Sequence, residues 1–141
     1  MVMQCSDGSI ALHVDEAEYY RDSKDPSAST AEWNVAITKS GRFNVWLRSA
    51  AIDTIDLGYE NKVLLNVHDN ILEVHPVTNK IDASEINHPY FNADSYMGAM
   101  YIQDTGLYSI HVISDKIFPK NTDAFNEKTK LLSVILTPIL K

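Results

Sequence analysis

The chain has 141 residues, which suits one domain with a substantial hydrophobic core and is short for two. Its 19 acidic and 12 basic residues leave a formal net charge of −7, and the scattered Lys and Arg argue against binding to nucleic acid or an anionic membrane surface. The longest apolar runs are far shorter than a membrane span, and Cys5, the only cysteine, has no partner for an internal disulfide.

Alternation of polar and apolar residues recurs along the chain and predicts β-strands. The predicted strands span residues 9–14, 31–37, 43–49, 61–67, 71–77, 98–103, 107–113 and 130–137. Residues 78–97 are rich in Asn and Asp and lack steady alternation, so they are predicted to form a long connection. Apart from one turn at residues 123–130, no helical period is convincing. We therefore expect an all-β fold, an antiparallel β-sandwich of jelly-roll type with about eight strands.

Three short turns predict hairpins between neighbouring strands. The first, at residues 38–41, ends in Gly41, which is free to take a positive φ. The second is His68-Asp69-Asn70, a trio that tolerates left-handed backbone, and the third is residues 104–106. Pro76 has no amide hydrogen, so its strand should lie at a sheet edge or end there.

The start of the chain is predicted to be a flexible segment, residues 1–7, before a single domain at residues 8–141. Cys5, followed by Ser-Asp-Gly, would suit the start of a lipid-anchored exported protein, but no apolar run precedes it. The end of a trimmed chain is the plain alternative.

Several stretches resemble galactose-binding-like β-sandwich domains. AEWNV (residues 31–35) and TKSGRFNVWL (38–47) look like the first part of that family's signature, GAMYI and DTGLYSI (98–110) like its hairpin, and LSVILTP (132–138) like its closing strand. The resemblance spans roughly residues 8–138. It implies a galactose-binding-like jelly roll with Trp33 in the core, as in carbohydrate-binding modules and accessory domains of bacterial α-L-fucosidases and sulfatases. Residues 50–58 depart from the Gly-rich loop of the fucosidase-associated pattern.

No residue pattern indicates catalysis. A Gly-x-Ser-x-Gly nucleophile elbow is absent, and the five histidines are not spaced as a pair of metal ligands. These histidines are His13, His68, His75, His88 and His111, of which the first and last should face solvent. We expect no enzymatic activity, no zinc site and no required cofactor.

A structural calcium ion is a further expectation from the resemblance. Asp15, Glu16 and Glu18 lie where sugar-binding relatives of that family hold calcium, and carboxylates are suitable ligands for this ion. Plain surface acidity is the alternative.

Sugar binding requires an aromatic ring beside polar groups, and residues 88–96 provide this combination. The candidate ligand-binding residues are His88, Tyr90, Phe91, Asn92, Asp94 and Tyr96. Three aromatic rings in a polar loop are costly to leave in water, so we expect a ligand, a partner or the protein core to cover them.

A second candidate surface lies on the predicted strand at residues 43–49. Alternation places Phe43 and Leu47 inward and Asn44, Trp46 and Arg48 outward. Trp and Arg are enriched at binding hot spots, so we interpret this face as a possible partner interface. A covering loop, from residues 15–30 or 114–128, and a bound sugar are the alternatives.

Together these features favour a non-catalytic carbohydrate-binding domain of an exported bacterial glycan-processing protein, located in the periplasm, at the cell surface or outside the cell. The alternative is a structural accessory domain that docks on a catalytic or partner domain and binds no sugar. The expected partners are a glycan or a neighbouring catalytic domain, without nucleic acid and without a membrane span.

Overall fold

A computed structural model describes residues 2–21, 29–51, 57, 59, 62–68, 70–77, 79–83, 91–117 and 129–139. Within them the chain forms strands and a single 3-10 turn at Val14–Glu16, so the all-β prediction is confirmed. The strands are β1 (Val2–Met3), β2 (Ile10–His13), β3 (Glu18–Arg21), β4 (Ser29–Ile37), β5 (Gly41–Ala51), β6 (Val63–Val67), β7 (Asn70–Val74), β8 (Lys80–Ala83), β9 (Phe91–Ile102), β10 (Gly106–Ser114) and β11 (Thr129–Pro138). No helix in this part of the chain is long and apolar enough to cross a membrane.

The strands form two sheets, packed as a sandwich. The six-stranded sheet has the order β1-β4-β10-β6-β7, with β3 also paired to β4. The five-stranded sheet has the order β2-β11-β5-β9-β8. The described pairs are antiparallel, except that β1 runs parallel to β4. Strand β5 therefore lies in the middle of its sheet, between β11 and β9.

The core lies between the two sheets and is filled by alternate residues of the long strands. Trp33 on β4 is 3% exposed, and Phe43, Val45 and Leu47 on β5 are buried opposite it. The Trp33 Nε1–H donates a hydrogen bond to the His13 carbonyl oxygen at 2.9 Å, which satisfies the one polar group of the ring. The prediction that Trp33 fills the core is confirmed.

Two of the three predicted hairpins are wrong. The turn at residues 38–40 leads from β4 in the six-stranded sheet to β5 in the five-stranded sheet. The turn at residues 103–105 leads back, from β9 in the five-stranded sheet to β10 in the six-stranded sheet. Both are crossings between sheets. Gly41 and Gly106 begin the strands after these crossings with φ values of 138° and 142°, so the expected positive φ at Gly41 is confirmed.

The remaining predicted hairpin is confirmed. Strands β6 and β7 pair antiparallel, from Val67 opposite Asn70 to Val63 opposite Val74. His68 takes the left-handed conformation, with φ of 54°. Strand β7 is at a sheet edge and ends before Pro76, as the missing amide hydrogen of proline predicts.

The prediction that residues 78–97 form a long connection is wrong. These residues contain β8 and the first half of β9. Within β9 the inward positions are held by Ala93 and Ser95, which are small and give no apolar alternation. A bulge at Met97 then shifts the phase, because Tyr96 and Gly98 pair with the adjacent residues Trp46 and Val45.

Residues near both ends of the described chain bind the crossing between β4 and β5. Gln4 Oε1 accepts hydrogen bonds from the backbone N–H groups of Thr38 and Lys39, each at 2.8 Å. From the other end, the Ile139 N–H donates to the Arg42 carbonyl at 2.9 Å. The segment predicted as a flexible lead-in thus contributes strand β1 and the Gln4 hydrogen bonds to the sandwich.

Candidate functional site

The outer face of the five-stranded sheet brings the two predicted candidate regions together. Asn44, Trp46 and Arg48 point outward from β5, as alternation predicted, because the residues between them are buried in the core. In the β9 register, Tyr96 lies opposite Trp46 and Asp94 lies opposite Arg48. Residues predicted as parts of separate sites therefore share one surface, which we call the ligand face.

Two aromatic rings form the centre of the ligand face. The ring centroids of Trp46 and Tyr96 are 5.1 Å apart, and the ring planes are tilted by 57°. The Tyr96 hydroxyl donates a hydrogen bond to Asn44 Oδ1 at 2.8 Å, which holds the phenol ring in place. Tyr96 is nevertheless 40% exposed, so its ring is accessible to a ligand.

A salt bridge lies directly beside the rings. Arg48 Nε donates to Asp94 Oδ1 at 2.8 Å, and Arg48 Nη2 donates to Asp94 Oδ2 at 3.0 Å. The exposed fractions of the two side chains are 33% and 16%. This bidentate geometry fixes both side chains and places a guanidinium and a carboxylate next to each other at the surface.

A shallow depression of about 210 Å³ opens among these side chains. It is lined by Trp46, Arg48, Asp94, Ile135 and Thr137. The last two come from β11, where Ile135 lies opposite Trp46 and Thr137 lies opposite Asn44. The sequence analysis did not select them, although the inward alternation of Val134 and Leu136 indicated that both face outward.

Chemically, the ligand face combines an apolar platform with donors and acceptors at its rim. Aromatic rings can stack on the C–H face of a sugar, while guanidinium, carboxylate and hydroxyl groups bind its hydroxyls. The depression is smaller than the cavities of about 300–1,000 Å³ that enclose small molecules. A ligand would therefore lie along the sheet with much of its surface in water.

The other residues of the predicted sugar site lie elsewhere. Phe91 begins β9 opposite Ala51 and is 38% exposed, far along the strand from Trp46. Asn92 is on the outward side of β9 but is 2% exposed. His88 and Tyr90 lie outside the described residues. Phe91, Asn92, Asp94 and Tyr96 belong to a strand instead of the predicted loop.

Part of one segment that was predicted to cover Trp46, residues 15–30, lies within the described structure. Of residues 15–30, those of β3 pair with β4 in the opposite sheet, so they do not lie over the ligand face. Residues 22–28 and 118–128 lie outside the described part of the chain. Within the described part, the outer surface of Trp46 remains partly accessible.

The acidic residues proposed for calcium lie near the start of the chain. Asp15 and Glu16 are in the 3-10 turn, and Glu18 begins β3, where it pairs with Glu32. Across the ranges that the structure describes, no three Asp, Glu, His or Cys side chains are grouped closely enough to hold a metal ion. Calcium binding by Asp15, Glu16 and Glu18 stays a prediction.

A larger depression, of about 440 Å³, lies on the opposite sheet. Its lining comes from β6, β10 and the turn before β10: Asn66, His68, Asp104, Thr105, Gly106, Leu107, Tyr108, Ser109 and His111. Several of these groups are already paired. Tyr108 donates its hydroxyl to the Asp104 carbonyl at 2.5 Å, and the His111 Nε2 lies 2.5 Å from Glu32 Oε2. The ring of Tyr108 also meets His68 edge-on, at 6.2 Å, so this depression is a poorer stacking platform.

Beneath the ligand face, a polar pair is buried in the core. The hydroxyls of Ser49 and Tyr59 are 2.7 Å apart. Burial raises the pKa of the Tyr59 phenol well above its ordinary value of 10.0, since the charged form would lose its hydration. The hydroxyl therefore stays neutral and hydrogen-bonded within the core.

Comparison with known proteins gives similarities of fold. No protein-family model and no curated protein matches the sequence. Among solved structures, the chain is similar to an α-L-fucosidase from Vibrio sp. strain EJY3, with a TM-score of 0.79 and 17% identity over 100% of this chain and 24% of that one. It is also similar to the GH26-CBM35 β-(1,4)-mannanase of Podospora anserina, with a TM-score of 0.57 and 12% identity over 96% of this chain and 28% of that one.

A third similar structure is the insecticidal crystal protein Cry2Aa, with a TM-score of 0.58 and 9% identity over 96% of this chain and 22% of that one. The chain thus spans less than a third of the length of each of these proteins. At such identities the likeness shows a shared β-sandwich fold and nothing more.

Proposed function

We propose that this chain is a non-catalytic glycan-binding domain and that its sugar site is the ligand face. The observation that carries the proposal is the convergence of Trp46 and Tyr96, 5.1 Å apart, beside the Arg48 and Asp94 pair. Rings from two neighbouring strands give an apolar surface that is held rigidly by the sheet. Rigid aromatic side chains bind at low entropic cost, which favours recognition of a weakly structured ligand such as a glycan.

The structural neighbours support the same proposal. Two of them are a fucosidase and a mannanase, and each is several times longer than this chain. A small β-sandwich that resembles a quarter of such a protein suits an accessory role in glycan processing. Under this proposal the parent protein is exported, because polymeric glycans are met outside the cell.

A docking domain that binds no sugar is the second candidate. The observation that favours it is the partial coverage, since the matching part of each neighbour belongs to a longer polypeptide. Trp46 would then lie in the contact with a catalytic or partner domain, in line with the enrichment of Trp at hot spots.

A glycan array with the purified chain tests the proposal. We expect the wild-type chain to bind at least one glycan and Tyr96→Ala to weaken that binding by about tenfold, because the substitution removes half of the platform and one aromatic stacking contact is worth about 1 kcal/mol or more. The matched control is Tyr101→Ala. Tyr101 lies on the same strand and is 54% exposed, but it pairs with Arg42 at the far end of the sheet.

The outcomes separate the two candidates. Loss of binding in Tyr96→Ala with normal binding in Tyr101→Ala supports the ligand face as the sugar site. Equal loss in both variants, with unchanged melting temperatures, contradicts that location. A wild-type chain that binds no glycan on the array contradicts the proposed function and leaves the docking domain.

A further inference from the structure

We infer that the ligand face selects an uncharged glycan in the form of a single soluble chain, and that the Arg48 and Asp94 salt bridge enforces this selection. The inference rests on the proposed function and names its ligand class. It depends on three features: the salt bridge between Arg48 and Asp94, the net charge of the whole chain, and the tilt between the rings of Trp46 and Tyr96.

The salt bridge is matched to hydroxyl groups rather than to anions. Asp94 occupies Arg48 Nε and Nη2, which form one of the two edges through which a guanidinium can bind a ligand carboxylate or sulfate bidentately. An acidic sugar would have to displace Asp94 or sit beside its negative charge. A neutral diol avoids both costs, because one hydroxyl can donate to a remaining lone pair of Asp94 while its neighbour accepts from the guanidinium edge.

The charge of the whole chain acts in the same direction. The formal net charge is −7, so acidic polymers are repelled over the range set by ionic strength. The guanidinium of Arg48, beside the two rings, is paired with the Asp94 carboxylate at 2.8 Å and so adds little net positive charge there. Association with acidic glycans is therefore disfavoured at long range as well as in contact.

The tilt of the rings excludes a flat surface. The planes of Trp46 and Tyr96 differ by 57°, so the two rings cannot both lie flat against one crystalline face. A single flexible chain can turn between successive sugar rings and meet each aromatic ring in its own orientation.

The experiment compares three ligand classes with three forms of the protein. Wild type, Asp94→Asn and Glu73→Gln are tested against the neutral and acidic glycans of an array, at low and at physiological salt, and against microcrystalline cellulose by sedimentation. We expect wild type to bind neutral soluble glycans only. In Asp94→Asn, affinity for the neutral ligand should fall by at least about tenfold, because a charge-assisted acceptor is lost.

The same substitution should create a new binding specificity. In Asp94→Asn the carboxylate no longer neutralises the Arg48 charge, so this variant should bind acidic glycans, and this binding should weaken as salt is added. Glu73→Gln is the matched control. It removes one negative charge and separates an ion pair, since Glu73 Oε1 lies 3.7 Å from Lys62 Nζ, but it lies on the opposite sheet and should leave the binding profile of wild type unchanged.

The results distinguish a failure of the selection for neutral chains from a failure of the proposed glycan-binding function. Binding of acidic glycans or cellulose by wild type overturns the selection for neutral chains but keeps the proposed function. The absence of binding to every ligand class overturns both. If Asp94→Asn fails to fold, as judged by its melting temperature, the wild-type profile still decides whether neutral chains are selected.

Discussion

Two buried aromatic residues of this sandwich each place a polar group against a defined partner. Trp33 donates its ring N–H to the His13 carbonyl, and Tyr59 shares a hydrogen bond with Ser49. A buried hydroxyl without a partner would cost about 1–3 kcal/mol, so these contacts offset the polarity of otherwise apolar positions. The pair of Ser49 and Tyr59 lies on the core side of the strand whose other side carries Trp46 and Arg48.

The raised pKa of Tyr59 makes stability depend on alkaline pH. In the unfolded chain the phenol ionises near its ordinary pKa of 10.0, whereas in the fold it stays protonated at higher pH. Its contribution to stability is therefore complete below pH 10 and is lost as pH rises above it. Because one group contributes at most about 1.4 kcal/mol per pH unit, we expect wild type to lose about 1 kcal/mol more than Tyr59→Phe between pH 10 and 11.

Urea unfolding at the two pH values measures this difference. Tyr101→Phe provides the control, because Tyr101 is 54% exposed and the substitution should leave the pH dependence of wild type in place. If the free energy of unfolding falls equally with pH in wild type and in Tyr59→Phe, the buried phenol does not control alkaline stability.

Among the elements, the crossings between sheets carry the most specific backbone requirement. Gly41 begins β5 with φ of 138°, and a Cβ built there would meet no atom within 4 Å. The cost of a side chain at this position is thus conformational and not steric. We expect Gly41→Ala to lower the free energy of unfolding by about 1–3 kcal/mol, the usual cost of a non-glycine residue in such a backbone region.

Chemical denaturation of Gly41→Ala tests this expectation, and Gly106→Ala gives a parallel case. Gly106 has φ of 142° and equally open surroundings at the other crossing, so a similar loss is expected there. A neutral effect of both substitutions would mean that the chain relaxes freely at these positions.

Strand positions could be predicted from the sequence better than strand partners. The alternation in β4, β5 and β11 is strong because large apolar residues such as Trp33, Phe43 and Leu136 occupy most of the inward positions. Alternation identifies the inward face of a strand, but two strands on opposite sheets show the same pattern as two strands in one sheet. The crossings at residues 38–40 and 103–105 were therefore predicted as hairpins.

The candidate site was predicted only in part for a related reason. The outward position of Trp46 follows from its strong strand, whereas the first half of β9 has Ala93 and Ser95 inward and gave no signal. Because the first half of β9 was not recognised, Asp94 and Tyr96 were assigned to a loop. The cross-strand neighbours of Trp46 depend on sheet pairing, which residue spacing does not contain.

At the scale of the whole molecule, β11 connects the first part of the chain to its middle. It lies between β2 and β5, and Leu131, Val134 and Leu136 are fully buried. Burying each such side chain contributes about 1.5–3 kcal/mol, and a domain of this size has a total stability of about 5–15 kcal/mol. We expect a chain that ends at residue 128 to be unfolded.

Near-UV circular dichroism and amide NMR dispersion would measure this outcome. The control is a chain that ends at residue 139, which keeps every described strand and should fold like wild type. A native-like spectrum from the shorter chain would show that the five-stranded sheet can form without its second strand.

Gln4 and Ile139 both bind residues at the crossing between β4 and β5, and this has a consequence for how the polypeptide can be reconnected. A short linker could join residue 139 to residue 2 into a covalent ring, and new termini could be opened at the turn between β6 and β7. Such a circular permutant would keep every strand pairing. The new ends would leave from the six-stranded sheet, beside the crossing between β9 and β10, because His68 lines the same depression as Asp104 and Thr105. Fusion partners could then be attached next to β6 and β7 without adding chain to β1 or β11.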